Sequence, residues 1–479
     1  MTKRHFYIIS IILVLASFFI LFNLDRHDLQ GDEGPYAFRS LGYFDYLSSL
    51  KQTTPIQWFG YRPWWSYLAF HDHPPLFLLV QHFFFKLFDA SVFVARLPSA
   101  LAGIGSLIAV FFWARYLSGI RVALFSTVAL AVNTYFVWTA RMGFLESLCV
   151  FFLLLGLYFF NKGFGKDTNF IASGIFFGLS LLTKYTAFFA IPGMLAYLFW
   201  KRKGVSLTGN FLLGVLLFLA VSSPIAIYNA EMYSARGHFD IQFSDVFKQG
   251  NRDWPLLTPR VSGHVFSNIG EIARTLGDGF SLPYALAVAV AYIAIAVRSY
   301  KRKEEAYFPL IVFVSMLFCF LFIGGDKRWL GVVSPFAAMI LGHAIGIYYD
   351  KKWIFYGAGL IALFSIFYSL NTNTLKTPIG GTFLRSELRL ENDGYNQLDS
   401  YMTNLLEPFN AQLLSQEVVR KGWFGSFKPE EVDFPGINKE GRPEFQGIIV
   451  YDLNSNWSST VWVFERWKFY RRFLIVSSE

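Results

Sequence analysis

The sequence predicts an α-helical polytopic membrane protein, with about 11 transmembrane helices plus interfacial helices and a small C-terminal α/β or α+β extracytoplasmic domain. Three observations predict it. First, 54% of the 479 residues are hydrophobic and only 16% are charged, against about 45–50% and about 25% in soluble domains. That balance excludes an ordinary soluble enzyme, a disordered chain and a fibrous protein. Second, the apolar residues gather in runs of the length that crosses hydrocarbon. Third, the cations behind the net charge of +9 sit mostly in short clusters between those runs. That is the pattern of membrane orientation, not of nucleic-acid binding.

The first run, near 6–24, follows Lys3 and Arg4. It is long, and no small-residue cleavage site follows it, so it reads as an uncleaved first helix. Further spans are expected near 97–117, 122–139, 143–160, 168–183, 186–200, 207–229, 279–297, 307–324, 330–349 and 353–370. The run 75–88 is shorter and carries Gln81, His82 and Lys86. If it crossed, every basic cluster after the first would move outward, against the positive-inside rule. It is therefore expected to be interfacial or re-entrant. The N-terminus is then cytoplasmic, and loops 25–74 and 230–278 and the tail face outward. Cys149 and Cys319 both lie within apolar runs and read as packing residues, without a disulfide framework.

Two domains follow from this layout: 1–370 in the membrane and 371–479 outside it. The tail is more polar. It carries strand-like runs at Gly447–Asp452 and Thr460–Phe464 and a helix-like stretch near 395–420. The missing ER-retention signal points to a plasma (inner) membrane of a prokaryote.

Residues able to do chemistry collect on the outward side. Asp32 and Glu33 sit just past the first helix, with Pro35 and Tyr36 close behind. They fit a solvated helix cap, and equally a pair in which one carboxylate takes a proton and the other orients a partner. The run His71-Asp72-His73 before Pro74-Pro75 can supply metal ligands, phosphate donors, both, or only a solvated turn. Cations recur at outward helix ends: Arg96, Arg141 with Glu146 nearby, Lys184, and Lys327-Arg328. Singly each suits a snorkelling anchor. Together, on the side opposite to the positive-inside bias, they suit a pocket for an anionic lipid headgroup. Loop 230–278 adds Glu231, Tyr233, Arg236, His238, Phe239, Trp254 and His264, residues able to cover such a pocket and stack on a sugar.

The ordered set resembles the GT-C glycosyltransferases that use polyprenyl-phosphate-linked sugars. The resemblance is to the branch of the dolichyl-phosphate-mannose protein mannosyltransferases and the lipid A aminoarabinose transferase. It is carried by Asp32-Glu33 with Tyr36, by His73-Pro74-Pro75-Leu76, by Ala95-Arg96-Leu97-Pro98-Ser99-Ala100 with Gly103, and by Arg141 with Glu146. It continues through Gly178-Leu179 and Leu182 to Lys184, and through Lys327-Arg328-Trp329 with Pro335, over most of 1–340. It implies Asp32 as catalytic base with Glu33 assisting, Tyr36 and Glu146 orienting substrate, and His73, Arg96, Arg141, Lys184, Lys327 and Arg328 at the donor phosphate. It also implies a possible divalent metal at Asp72 with His264 or His238, although no cofactor is required. Where the aminoarabinose branch has an arginine after the acidic pair, this chain has Gly34 and Pro35, and Arg39 is the nearest replacement.

The implied reaction moves a sugar, with inversion, from a polyprenyl-phosphate-sugar donor to a hydroxyl acceptor on protein, glycolipid or glycan. Membrane lipids are the surroundings, and no nucleic acid is expected as a partner. The alternatives are a lipid or sugar-lipid transporter or flippase, a membrane-anchored scaffold, and an oligosaccharyltransferase or polymer-ligase relative. A transporter predicts mid-helix charges and internal symmetry, and this sequence shows neither.

Overall fold

The computed structural model describes residues 2–45, 53–59, 63–201, 208–249, 253–254, 265–302, 307–390, 392–406, 447–452, 457–467 and 473–478. Its helices begin with α1 (Lys3–Leu21), α2 (Glu33–Gly42), α3 (Pro55–Trp58), α4 (Leu76–Phe88), α5 (Val92–Ser118) and α6 (Ile120–Ala131). Next come α7 (Thr134–Arg141), α8 (Leu145–Gly163), α9 (Asn169–Thr183), α10 (Ile191–Lys201), α11 (Gly209–Arg236) and α12 (Ile241–Val246). The series ends with α13 (Val265–Phe280), α14 (Leu282–Arg302), α15 (Phe308–Ile323), α16 (Ser334–Tyr348), α17 (Lys352–Asn373) and α18 (Tyr395–Leu406).

All eleven expected runs are helical, and this is an integral membrane protein. Among the described residues, seven helices are long and apolar enough to cross a membrane, including α1, α5, α8, α11 and α17. The run expected as one span at 122–139 is α6 followed by α7, bent by 64°. The cause is Asn133, whose side chain caps α7 by accepting from the Phe136 amide at 2.9 Å, so the helical ladder restarts there. The expected spans at 168–183, 186–200 and 307–324 are shorter helices, α9, α10 and α15. At about 1.5 Å per residue they fall short of a hydrocarbon core of about 30 Å. Helix α4 has 13 residues and is equally short, in keeping with the interfacial reading.

The chain divides into two compact units. One comprises Met1–Leu24, Leu97–Pro224 and Pro259–Arg389. Its helices pack through small residues, as lipid-embedded helices do. A Cβ on Gly174 of α9 would lie 1.8 Å from the Gly214 carbonyl of α11, so these two backbones touch. One on Gly342 of α16 would lie 2.4 Å from the Ser126 amide of α6.

The other unit comprises Asp25–Arg96, Ile225–Thr258 and Leu390–Glu479. The expected boundary at 370/371 is thus displaced, because the tail does not stand alone. Trp462, Val463, Phe464, Trp467 and Met402 share one apolar core with Leu29 and Ala37, Phe85 of α4, and Val92, Val94 and Ala95. Strand β1 (Gly447–Asp452), expected from the sequence, pairs in parallel with β2 (Phe473–Ser478), in register from Gly447↔Phe473 to Asp452↔Ser478. Between them, the expected strand Thr460–Phe464 is helical: a turn at Trp457–Thr460 runs into a π turn at Val461–Glu465. Residues 461–464 are all buried, and an apolar run buried on every side carries no period that separates strand from helix. The helix expected near 395–420 is α18 up to Leu406, and 407–446 lie outside the described residues.

Candidate functional site

The unit that comprises Asp25–Arg96, Ile225–Thr258 and Leu390–Glu479 holds a connected polar network built on α2. Gly31, at φ 57°, turns the chain into that helix, a backbone conformation glycine adopts without steric cost. Asp32 is the N-cap residue and is partly exposed. Pro35 falls in the first turn, where a missing N–H costs nothing. The spacing 32, 36, 39 puts Asp32, Tyr36 and Arg39 on one helical face. Glu33 points away from it.

On that face the Tyr36 hydroxyl donates to Asp32 Oδ2 at 3.3 Å and lies 3.0 Å from His73 Nε2. His73 Nδ1 lies 2.9 Å from an Asp72 oxygen. Arg39 grips Asp72 with both terminal nitrogens, at 3.1 and 2.6 Å, and reaches Asp45 at 3.2 Å. Asp45 in turn accepts from the His71 amide at 2.8 Å and pairs with His71 Nδ1 at 2.7 Å. Burial by itself would raise the Asp72 carboxyl; the Arg39 guanidinium, then His73 and His71, outweigh it and hold it well below the usual carboxylate range. Burial would also lower the His71 imidazole, yet Asp45 and then Asp72 raise it. Arg39 is raised too: Asp72 and Asp45 overcome its desolvation.

The direction of the Tyr36 proton depends on His73. With both His73 nitrogens protonated, Nδ1 faces Asp72, Nε2 donates to the Tyr36 oxygen, and the tyrosine proton goes to Asp32. With Nε2 bare, it competes for that same proton. The network thus runs from Asp72 through His73 and Tyr36 to Asp32, its partly exposed end.

Glu33 and Arg96 have a different place. The Glu33 carboxylate takes Arg96 Nε and Nη2, each at 2.8 Å, and accepts the Gln30 amide at 3.0 Å. Arg96 also donates to the carbonyls of His27 and Asp28 at 2.8 Å. Glu33 is 0% and Arg96 1% exposed, and this pair braces the segment before α2.

The possible metal centre changes as well. Asp45, His71 and Asp72 bring ligand atoms within 4.8 Å of one another. Arg39 already bridges the two carboxylates as their counter-cation, so this donor set does not fit a divalent ion. His238 does not join Asp72: its Nε2 meets Asp253 and its Nδ1 the Phe239 carbonyl, each at 2.7 Å, and both partners are acceptors. His264 lies outside the described residues. Trp254, offered by the sequence as a sugar platform, is 2% exposed and packs with Trp65, Ala69, Tyr228, Met232 and Ile241. It stacks on His71 and seals the network from behind.

The helix unit has its own charged cluster. Lys184 and Arg328 both pair with Glu146 Oε1, Arg328 at 2.9 Å. Two cations on one carboxylate leave a net positive charge. Lys184 and Glu146 are buried, and Arg328 is the more accessible. Arg328 lies over Phe144 and Lys184 faces Trp329. Lys327 points to exposed Glu387 at 2.6 Å. Arg141, expected at the phosphate, instead donates to the carbonyls of Phe19, Ile20, Phe22 and Asn23. It caps the last turn of α1, where unsatisfied carbonyls favour a cation. Sequence reasoning missed Asp45, since nothing nearby marks its spacing, and Arg39 emerges fully only from the helical stripe 32-36-39.

Residues 72–228 match the family described as dolichyl-phosphate-mannose-protein mannosyltransferase. The chain is 27% identical over 173 residues to "Putative mannosyltransferase YycA" of Bacillus subtilis (strain 168), covering 34% of this chain and 25% of that protein. It therefore spans about a quarter of this curated relative's length. Among solved structures, it resembles ArnT from Cupriavidus metallidurans bound to undecaprenyl phosphate, with a TM-score of 0.55 at 18% identity over 83% of this chain and 72% of that one. It also resembles the archaeal oligosaccharyltransferase AglB from Archaeoglobus fulgidus, in complex with an inhibitory peptide and a dolichol-phosphate. There the TM-score is 0.56 at 15% identity, over 96% of this chain and 63% of that one.

Proposed function

We propose that this chain, whose fold is that of the GT-C membrane glycosyltransferases, moves a sugar from a polyprenyl-phosphate carrier to an acceptor hydroxyl. Transfer takes place on the extracytoplasmic side of a plasma (inner) membrane, with the N-terminus cytoplasmic. The observation that carries the reading is the network ending at Asp32: a partly exposed carboxylate, oriented by Tyr36 and tuned through His73 from the Arg39-held Asp72. The polyprenyl-phosphate donor class has support in the similar folds, two of which hold undecaprenyl phosphate and dolichol-phosphate.

In this reading Asp32 takes the proton of the acceptor hydroxyl as that oxygen attacks the anomeric carbon. The carbon–phosphate-oxygen bond breaks on the opposite side, so the configuration inverts. His73, in its protonated form, offers the departing lipid phosphate a positive charge, its two N–H groups being held by Asp72 and the Tyr36 oxygen. Its protonation also sends the Tyr36 proton to Asp32, so donor binding and base orientation change together. Lys184 and Arg328 are the cations of the helix unit suited to an anionic headgroup. The guanidinium groups of Arg96 and Arg141 are engaged by Glu33 and by backbone carbonyls, which support the frame of the site in this reading.

Asp32→Asn tests the reading. Transfer from a polyprenyl-phosphate sugar is expected to fall by at least about 10²-fold, while binding of the polyprenyl phosphate stays near normal. Native mass spectrometry of the same variant should retain the unreacted lipid-linked sugar, and its mass would identify the sugar. Near-normal turnover by Asp32→Asn removes Asp32 as the base.

A further inference from the structure

The stretch before α2 has no secondary structure of its own, yet its backbone carbonyls are taken one after another. The Asp25 carbonyl accepts from Asn396 Nδ2 at 2.8 Å and the Arg26 carbonyl from Asn392 Nδ2 at 3.5 Å. Arg96 takes the next two, at His27 and Asp28. The Leu29 carbonyl accepts from Ser459 Oγ at 2.7 Å, and the Gln30 carbonyl from the Glu33 amide at 3.2 Å. Three of these six donors belong to the C-terminal segment, more than 360 residues along the chain. Asp28 returns the contact: its fully buried carboxylate accepts the Asp393 amide at 2.8 Å and the Asn396 amide at 2.7 Å. Asn396 is in the first turn of α18, where orphan amides and the helix dipole favour an anion.

We infer that the C-terminal segment acts as a clamp on the catalytic strap 25–31, and that Asp28 is a positioning residue setting where Asp32 stands. The inference rests on the proposed role of Asp32. The physical ground is short leverage. Only three residues separate Asp28 from Asp32, so a shift of the strap is passed directly to the N-cap of α2. Arg96 and Glu33 fix that strap on one side, and α18 with Ser459 fixes it on the other. Cutting either side leaves a strap with no ladder of its own. A lost ångström of placement at a reacting group costs as much as about 10²-fold in rate without loss of substrate affinity.

Asp28→Ala, Asp28→Asn and Ser459→Ala are compared with the parent chain in detergent, with transfer kinetics and amide hydrogen exchange measured on each. Asp28→Ala is expected to lower kcat by about ten- to a hundredfold, to leave the donor KM within about twofold, and to raise exchange at residues 29–36. Asp28→Asn keeps one acceptor oxygen and should fall between it and the parent. Ser459→Ala removes a single neutral hydrogen bond and guards against a variant that fails to fold; it should move kcat in the same direction by a smaller factor. Unchanged exchange at 29–36 in all three overturns the clamp. Raised exchange with unchanged kcat, or a fall in unfolding temperature with kcat and KM both unmoved, leaves a merely structural contact and overturns the positioning role. A parent that transfers no sugar from any polyprenyl-phosphate donor would instead overturn the proposed function, with the exchange data still deciding the clamp.

Discussion

Glu33 and Asp32 are neighbours in sequence with different burial and different work. Glu33 is buried against Arg96, so Glu33→Gln leaves a buried guanidinium uncompensated and should destabilise the protein by about 3–5 kcal/mol. Thermal unfolding in detergent reads this; an unchanged midpoint would return Glu33 to a role in catalysis. Tyr36→Phe keeps the ring against His73 but removes the hydroxyl that joins His73 to Asp32. Transfer should fall by about ten- to a hundredfold with the lipid-phosphate Kd unchanged, and turnover at the parent rate would break the network reading. The charged cluster also sets a pH dependence of stability. Folded Asp72 titrates below its ordinary value of 3.8, so its contribution is present above that pH and is lost as pH falls through the folded value. His71 is raised above 6.5; its contribution is full below that pH and disappears as pH rises through the folded value. Asp72→Asn should therefore flatten the acid limb of the unfolding temperature against pH, and His71→Gln the alkaline limb. Parallel curves for parent and variants would show that neither group is coupled to folding.

Helices in this chain are set by where the backbone can approach and where its ladder stops. Gly174 of α9 allows contact with Gly214 of α11, and a Cβ there has no room. Gly174→Val should prevent stable folding. Gly357→Ala in α17, with nothing within 4 Å of its Cβ, should be neutral or stabilise by up to about 1 kcal/mol. Folded yield and unfolding temperature in detergent separate the two, and equal behaviour would count against the packing. Arg141 shows the same logic at a helix end. Its sequence setting suited a phosphate ligand, and in the fold it donates to the carbonyls at the end of α1, which have no helical partner of their own. The break at Asn133 was also written in the sequence: an Asn four residues after Ala129 inside an apolar run is an N-cap signal, easily overlooked where hydropathy dominates.

At the scale of the whole molecule, the sequence alone determined the solvent. An apolar excess and basic clusters between apolar runs leave only a lipid-embedded helical protein, and their order outlined helices that are all present. It also determined the chemistry on offer: the acidic pair at Asp32-Glu33, the His71-Asp72-His73 run, and the cations recurring at helix ends. Helical spacing and hydropathy are local properties, so they can be read from local sequence. What tertiary structure alone decided was the partner of each charge. Arg96 braces Glu33, Arg141 caps α1, Arg39 bridges Asp45 and Asp72, and His238 belongs to Asp253. Each pairing joins residues brought near by packing, and a buried charge takes whichever counter-group that packing supplies, because leaving it unpaired costs several kcal/mol. The same holds for the tail. Its residues read as a separate domain, since polar composition marks exposure to water but not adjacency. Only the folded chain brings Trp462 against Phe85, and Asn396 and Ser459 to the strap that carries Asp32, because contacts across hundreds of residues leave no period or spacing in the sequence to announce them.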